Sequence, residues 1–316
     1  MLAIGTATQD VFLLGGKAFE PKCEGGLCYE HLLLGAKIPV EEVVFSTGGN
    51  AMNAAATFAR QGLESDFMGI VGTDQAGMTV MKALDEEGIG ARYVNHASKY
   101  ITGYSTVLMA PNAERTILVY HGSTLRADGS ELNLDAIAEA DWLYISSLGS
   151  IGLLASVFTL AKKHNVKVAF NPSSLELRHG EKLRSLLEDV TILITNKEEM
   201  QQIVEGKTSE ELVRHAANYV EYVAVTDGSN GAVATDSKKI VSAGLYDGVG
   251  AVCRLGAGDA FGSGFTAMLA QGKSLEEAVT FASANAHSVV QHVGAKIGIL
   301  HKGTPLQEMK LKIAEL

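Results

Sequence analysis

The chain has 316 residues, 47% of them hydrophobic and 20% charged, with a net charge of −10 and a pI near 5.4. This is an ordinary globular profile with ample material for a core, and the absence of a basic tract excludes a nucleic-acid footprint. No apolar run approaches the ~20 residues that span a bilayer. The opening residues lack the basic and apolar segments of a signal peptide, so no membrane partner and a cytoplasmic location are expected.

The first strand-like run covers 2–4. From 11 to 46 the chain turns irregular, with glycines, Pro21, Pro39, short apolar runs and two of its three cysteines, Cys23 and Cys28. An odd, low cysteine count fits a reducing compartment. Cys23, Cys28 and His31 lack a fourth ligand and a standard zinc spacing, so they are expected to be plain loop residues. Gly48-Gly49-Asn50-Ala51-Met52-Asn53 then opens a helix of small residues. A strand over 67–71 and a helix over 77–87 follow. Two strands, 104–109 and 116–120, flank Pro111-Asn112-Ala113-Glu114 and read as a hairpin. Beyond it, strands at 142–145, 166–170, 192–195 and 222–225 alternate with helices at 153–164 and 210–219. Thr208-x-x-Glu211 and Ser274-x-x-Glu277 have the form of capping boxes. Strands spaced by helices imply βαβ units, hence an α/β protein with a mostly parallel sheet covered on both faces.

The most informative segment is Arg254-Leu255-Gly256-Ala257-Gly258-Asp259, which leads into a helical run ending near Gln271. Glycines let the backbone turn sharply and approach a ligand, and the unpaired amides of a helix start form an anion site. Gly256, Ala257 and Gly258 would supply those amides. Asp259 would lie beside the anion, placed to take a proton from a hydroxyl attacking a phosphate. The plain alternative is an aspartate that only stabilises the helix start. No Gly-x-x-x-x-Gly-Lys-Ser/Thr occurs, which disfavours a P-loop enzyme. No Gly-x-Gly-x-x-Gly follows the first strand, which disfavours a dinucleotide oxidoreductase.

Together, the Gly48–Gly49 stretch and the Gly-Ala-Gly-Asp stretch resemble the two signature motifs of the ribokinase-like sugar kinases, also called the phosphofructokinase-B type. Asn196-Lys197-Glu198-Glu199 is similar to that family's Asn-x-x-Glu motif. Val225-Thr226-Asp227-Gly228-Ser229-Asn230-Gly231 is similar to its nucleotide-binding strand and turn. The resemblance runs from Ile4 to about Gly298. It implies a three-layer α/β/α fold with a small β lid, the main domain at 1–11, 47–90 and 121–316, and the lid at 12–46 and 91–120. It implies an ATP-dependent kinase acting on a hydroxyl of a small sugar or sugar derivative, with Asp259 as general base and Gly256, Ala257 and Gly258 as the anion hole.

The acceptor would be held by Asp10, at the end of the first strand, and by Gly48, Gly49, Asn50 and Asn53. Asn196, Thr226, Gly228, Gly231 and, more weakly, Asn285 would face ATP. Asn196 and Glu199 would order the water shell of Mg²⁺, although a first-turn glutamate favoured by the helix dipole reads the same way. His287 and His292 are expected to be core or surface residues.

Two departures stand out. Cys253-Arg254 replaces the Asp-Thr of many relatives, which argues for weaker potassium activation, with Arg254 itself a candidate positive charge near the phosphates. Ile145-Ser146-Ser147-Leu148-Gly149 lacks the sugar-binding glutamate of ribokinase proper, which argues against ribose as the default acceptor. A nucleoside kinase of the same family and a catalytically silent sugar or nucleotide binder remain open. A homodimer joined through the lid is expected from its surplus of apolar residues at 32–34, 43–45, 107–109 and 117–119.

Overall fold

The alternation of apolar runs and amphipathic stretches resolves into two main sheets and a separate two-stranded pair in the computed structural model, which describes residues 1–123, 129–146, 148–246 and 250–316. In chain order the strands are β1 (Leu2–Gly5), β2 (Thr8–Leu14), β3 (Lys22–Glu24), β4 (Leu27–Tyr29), β5 (Glu42–Gly48), β6 (Asp66–Val71), β7 (Gly90–His96), β8 (Gly103–Met109), β9 (Arg115–Tyr120), β10 (Trp142–Ser146), β11 (Lys167–Asn171), β12 (Ile192–Asn196), β13 (Tyr222–Thr226), β14 (Ala232–Thr235), β15 (Lys239–Ala243) and β16 (Leu311–Glu315). The helices are α1 (Asn50–Arg60), α2 (Gln75–Glu86), α3 (Ile151–Lys163), α4 (Ser174–Leu177), α5 (Glu181–Arg184), α6 (Lys197–Met200), α7 (Ser209–Ala216), α8 (Ala257–Ala270) and α9 (Leu275–Val290).

Ten strands form the large sheet in the order β16-β15-β14-β13-β12-β11-β10-β1-β6-β7. From β7 to β13 neighbours are parallel, and β14, β15 and β16 continue antiparallel. Winding runs outward from β1 through β6 to β7, then restarts at β10 on the other side of β1. Such a reversal leaves a crevice at the carboxyl ends of the strands, where doubly wound sheets bind ligands.

One face is packed by Leu153, Leu154, Val157 and Phe158 of α3 and by Leu212 and Val213 of α7. The other is packed by α1, α2, α8 and α9 through Ala51, Phe58, Val80, Phe261, Phe265 and Val279. Small residues let α1, α8 and α9 lie close together, which carries the start of α8 to the crevice. Thr208 and Ser274 form the reciprocal capping boxes read from the sequence.

The second sheet, β5-β2-β8-β9, is the lid. The hairpin of β8 and β9 forms as expected. Three placements correct the sequence reading. The stretch 90–96 pairs with β6 in the large sheet, so the lid strands after α2 begin at Gly103. Asp10 lies inside β2, opposite Ser46 and Ser105, and not at the end of β1. Cys23 and Cys28 face each other across the antiparallel pair β3–β4 and form a disulfide, because direct cross-strand pairing brings their side chains together.

The lid's inner side, Phe12, Val107 and Met109, packs on buried Cys253, with Leu255 and Val293 alongside. The run 107–109 therefore belongs to the seam between lid and body. The outer side stays open, with Phe45 68% and Leu118 59% exposed. Among the described residues, no helix is long and apolar enough to cross a membrane.

Candidate active site

The two glycine-rich stretches, far apart in sequence, meet at the crevice. Gly49 caps α1 with φ +95°, and a Cβ there would stand 2.4 Å from the Thr6 carbonyl oxygen. Gly256 caps α8 in the left-handed region, and a Cβ there would stand 2.6 Å from the Cβ of Ala295. Only glycine meets both demands at either position. Ala257, Gly258 and Asp259 then form the first turn of α8, with their amides free of helical partners.

Asp259 is the junction of the site. Asn53, in the first turn of α1, donates from Nδ2 to Asp259 Oδ2 at 2.8 Å. One turn further, Ser263 of α8 donates to Thr57 of α1 at 2.8 Å, which fixes the two helices in register. Burial pushes the Asp259 carboxyl up to about 6; the Asn53 bond opposes the rise, and the charges of Asp10 and Glu199 add to it. A carboxylate poised there is largely ionised near neutrality, yet basic enough to accept a proton. The Oδ1 of Asn53 is buried and has no hydrogen-bond partner among the described residues.

Asp10 is buried, and its Oδ1 accepts from Thr8 at 3.0 Å and from Ser105 at 2.5 Å. Its Oδ2 lies against Gly48, where a Cβ would be 2.1 Å away. Burial raises its pKa, while the two hydroxyls and Lys296 hold it back. Asn50 opens α1 beside Gly49, half-buried.

Lys296 was not singled out in the sequence. It is 6% exposed, and its ammonium donates to Thr47 Oγ1. Burial brings its pKa down to about 8, opposed by Glu87 and Asp10. Arg60 and Gln61 hold the backbone around it by bonding the carbonyls of Lys296, Ile299 and Leu300. The available signal was a lone charge in the small and apolar run from Val293 to Leu300.

Between β12 and α6, Asn196 and Glu199 cap one another. Glu199 N–H donates to Asn196 Oδ1 at 2.8 Å, and Asn196 N–H donates to Glu199 Oε2 at 2.9 Å. Burial raises the Glu199 pKa, opposed by the Asn196 amide. Thr226 ends β13 directly beside Asn196, and Gly228 and Gly231 bound the turn that follows.

Two expectations change, and a third lies outside the described residues. Asn285 is fully enclosed, with Nδ2 donating to Ala260 O and Oδ1 accepting from Leu300 N, each at 2.8 Å, so it ties α9 to α8. Arg254 pairs with Glu114 of the lid hairpin at 2.9 Å, a partner invisible in sequence. Ser147 lies outside the described residues; its neighbour Ser146 is fully buried.

Among the described residues no three His, Cys, Asp or Glu side chains converge as a metal cage. Glu199 is a partly buried carboxylate, the kind of oxygen ligand that would hold a magnesium ion through its water shell.

A reversed parallel sheet, an aspartate at a glycine-capped helix start and a small β lid above it define a ribokinase-like sugar-kinase layout. The family described as pfkB family carbohydrate kinase matches residues 26–302. A ribokinase of Haemophilus influenzae is 29% identical over 264 residues, covering 80% of this chain and 83% of that protein. A 5-dehydro-2-deoxygluconokinase of Bacillus subtilis is 28% identical over 296 residues, covering 87% of this chain and 90% of that one. The fold is shared with Arabidopsis thaliana ribokinase complexed with ribose and ATP, at a TM-score of 0.76, 22% identity and 95% coverage of both chains. The chain belongs to the pfkB family of carbohydrate kinases, and its activity is that of an ATP-dependent carbohydrate kinase.

Proposed function

We propose that the chain transfers the γ-phosphoryl group of ATP to a hydroxyl of a small sugar or sugar acid, with Asp259 as the general base. The observation that carries this reading is the 2.8 Å contact between Asn53 and Asp259, which joins the two glycine-capped helix starts around a carboxyl raised to about 6. Asp259 takes the acceptor's proton as that oxygen forms its bond to phosphorus and ADP departs. The amides at Gly256, Ala257 and Gly258 receive charge building on the transferring group. Asp10 and the free Oδ1 of Asn53 are acceptors suited to sugar hydroxyls, and Asn50 adds a half-buried carboxamide. Thr226, Gly228 and Gly231 line the ATP side.

Magnesium, when bound, would neutralise phosphate charge, with Glu199 steadying its water shell; Asn196 serves that arrangement by holding Glu199 in place. The felt repulsion between Asp259, Asp10 and Glu199 supports a cation in this crevice. The exposed outer face of the lid, Val43, Phe45 and Leu118, supports a homodimer through that sheet.

The test is an ADP-release panel with ribose, fructose, ketodeoxygluconate, 5-dehydro-2-deoxygluconate, adenosine, inosine and cytidine. The reading expects turnover with a sugar or sugar acid. Turnover only with nucleosides, or with no acceptor at all, contradicts it.

A further inference from the structure

Beneath the start of α8 lies a buried phenol that the proposed chemistry does not use. Tyr144, on β10, is fully enclosed, and its hydroxyl has no hydrogen-bond partner among the described residues. Ser146, two residues on and so on the same face of the strand, is fully buried with an equally unpartnered hydroxyl. Burying a hydroxyl without a partner is costly, and phenylalanine would fill the same space without that cost. The Tyr144 ring is already packed as an apolar group, edge-on to Phe58 with 5.6 Å between centroids.

The hydroxyl is directed at α8. A Cβ on Gly262 would stand 3.0 Å from the Tyr144 oxygen, so the phenol tip occupies the notch that this glycine leaves. Gly262 follows Asp259 by three residues and shares its helix face.

We propose that Tyr144 is a positioning residue for the Asp259 carboxylate: its O–H dipole points up the face of α8 and stabilises the ionised form. A hydroxyl hydrogen rotates to suit its surroundings, and among the described residues no competing acceptor holds this one. Burial and the Asp259 charge together push the phenol's own pKa well above its usual value, so it stays protonated and keeps its donor. The other groups facing Asp259 are Asn53 from α1, a donor, and Asp10 from β2 and Glu199 from α6, both of which disfavour its charge. Tyr144 therefore acts with Asn53 against burial and two like charges. Its removal raises the proton affinity of Asp259.

The inference concerns the carboxyl itself and deepens the reading of Asp259 as base, so it is tested with and without turnover. Protein labelled with ¹³C at the aspartate carboxyls is titrated by NMR, with Asp259→Asn assigning the resonance. Tyr144→Phe keeps the ring and should raise the Asp259 midpoint by about half a pH unit or more, roughly a threefold change in proton affinity. Phe58→Leu loosens the same packing without touching the hydroxyl and should leave the midpoint in place. A midpoint unmoved or lowered in Tyr144→Phe overturns the proposal, as does an equal shift in Phe58→Leu. The acid limb of turnover should follow the NMR midpoint. If the NMR midpoint moves and the limb does not, Asp259 is not the base, while the role of Tyr144 stands.

Discussion

At the scale of single residues, the site works by holding carboxyls where burial and hydrogen bonds oppose one another. Asp259 carries a pKa of about 6 against an ordinary 3.8, so the fold disfavours its ionised form. The sign follows: the resulting loss of stability is fully present above about pH 6 and vanishes below about pH 4. Asp259→Asn should therefore melt higher than the parent at pH 8, and the two melting curves should converge near pH 4. A variant that melts lower at pH 8 contradicts the assigned strain. Asp10 works differently, as a buried acceptor already holding Thr8 and Ser105. Asp10→Ala should weaken acceptor binding by roughly 1.5–3 kcal/mol, the scale of hydrogen bonds to charged groups. ATP binding should change little. Calorimetry with each ligand separately decides it, since equal losses would remove Asp10 from the acceptor site. Asp259 was legible in the sequence because its helix start announces itself through Gly256 and Gly258. Lys296 and Tyr144 were not, because their significance lies in what they face, and those partners come from other elements.

At the scale of elements, helix starts do most of the placing. Both α1 and α8 begin on a left-handed glycine, and α6 begins on the reciprocal cap of Asn196 and Glu199. Glutamine at 199 can still accept the Asn196 N–H through its carbonyl oxygen, so Glu199→Gln keeps the cap and removes only the charge. It should raise the magnesium needed for half-maximal rate. An unchanged magnesium titration would reduce Glu199 to a capping residue. Strands and helices of the body were readable because period and caps agree locally, as at Thr208 and Ser274. The lid was harder. Its strands pair with partners distant in sequence, β2 with both β5 and β8, so period alone could not say that 90–96 joins the large sheet instead. Nor could it say that Val107 faces Cys253 while Leu118 faces out.

At the scale of the whole molecule, the lid docks on the body through Phe12, Val107, Met109 and Cys253 and turns its other side outward. A four-stranded sheet with an apolar outer face calls for cover, and in the proposed homodimer a second copy of the lid would supply it by symmetry. Leu118→Glu, on that outer face, should give monomers with weaker acceptor binding and nearly normal ATP binding. Sedimentation of the unmodified protein at micromolar concentration comes first, and a fully active monomer would sink the dimer. The central claim is the transfer of phosphate to a sugar hydroxyl by way of Asp259. Its most direct test is the turnover number of Asp259→Asn beside the parent, with the best acceptor from the panel at neutral pH and saturating ATP. With folding and ATP binding preserved, turnover should fall by about 10²–10⁴, the range for a positioned acid–base group; near-normal turnover would contradict the account.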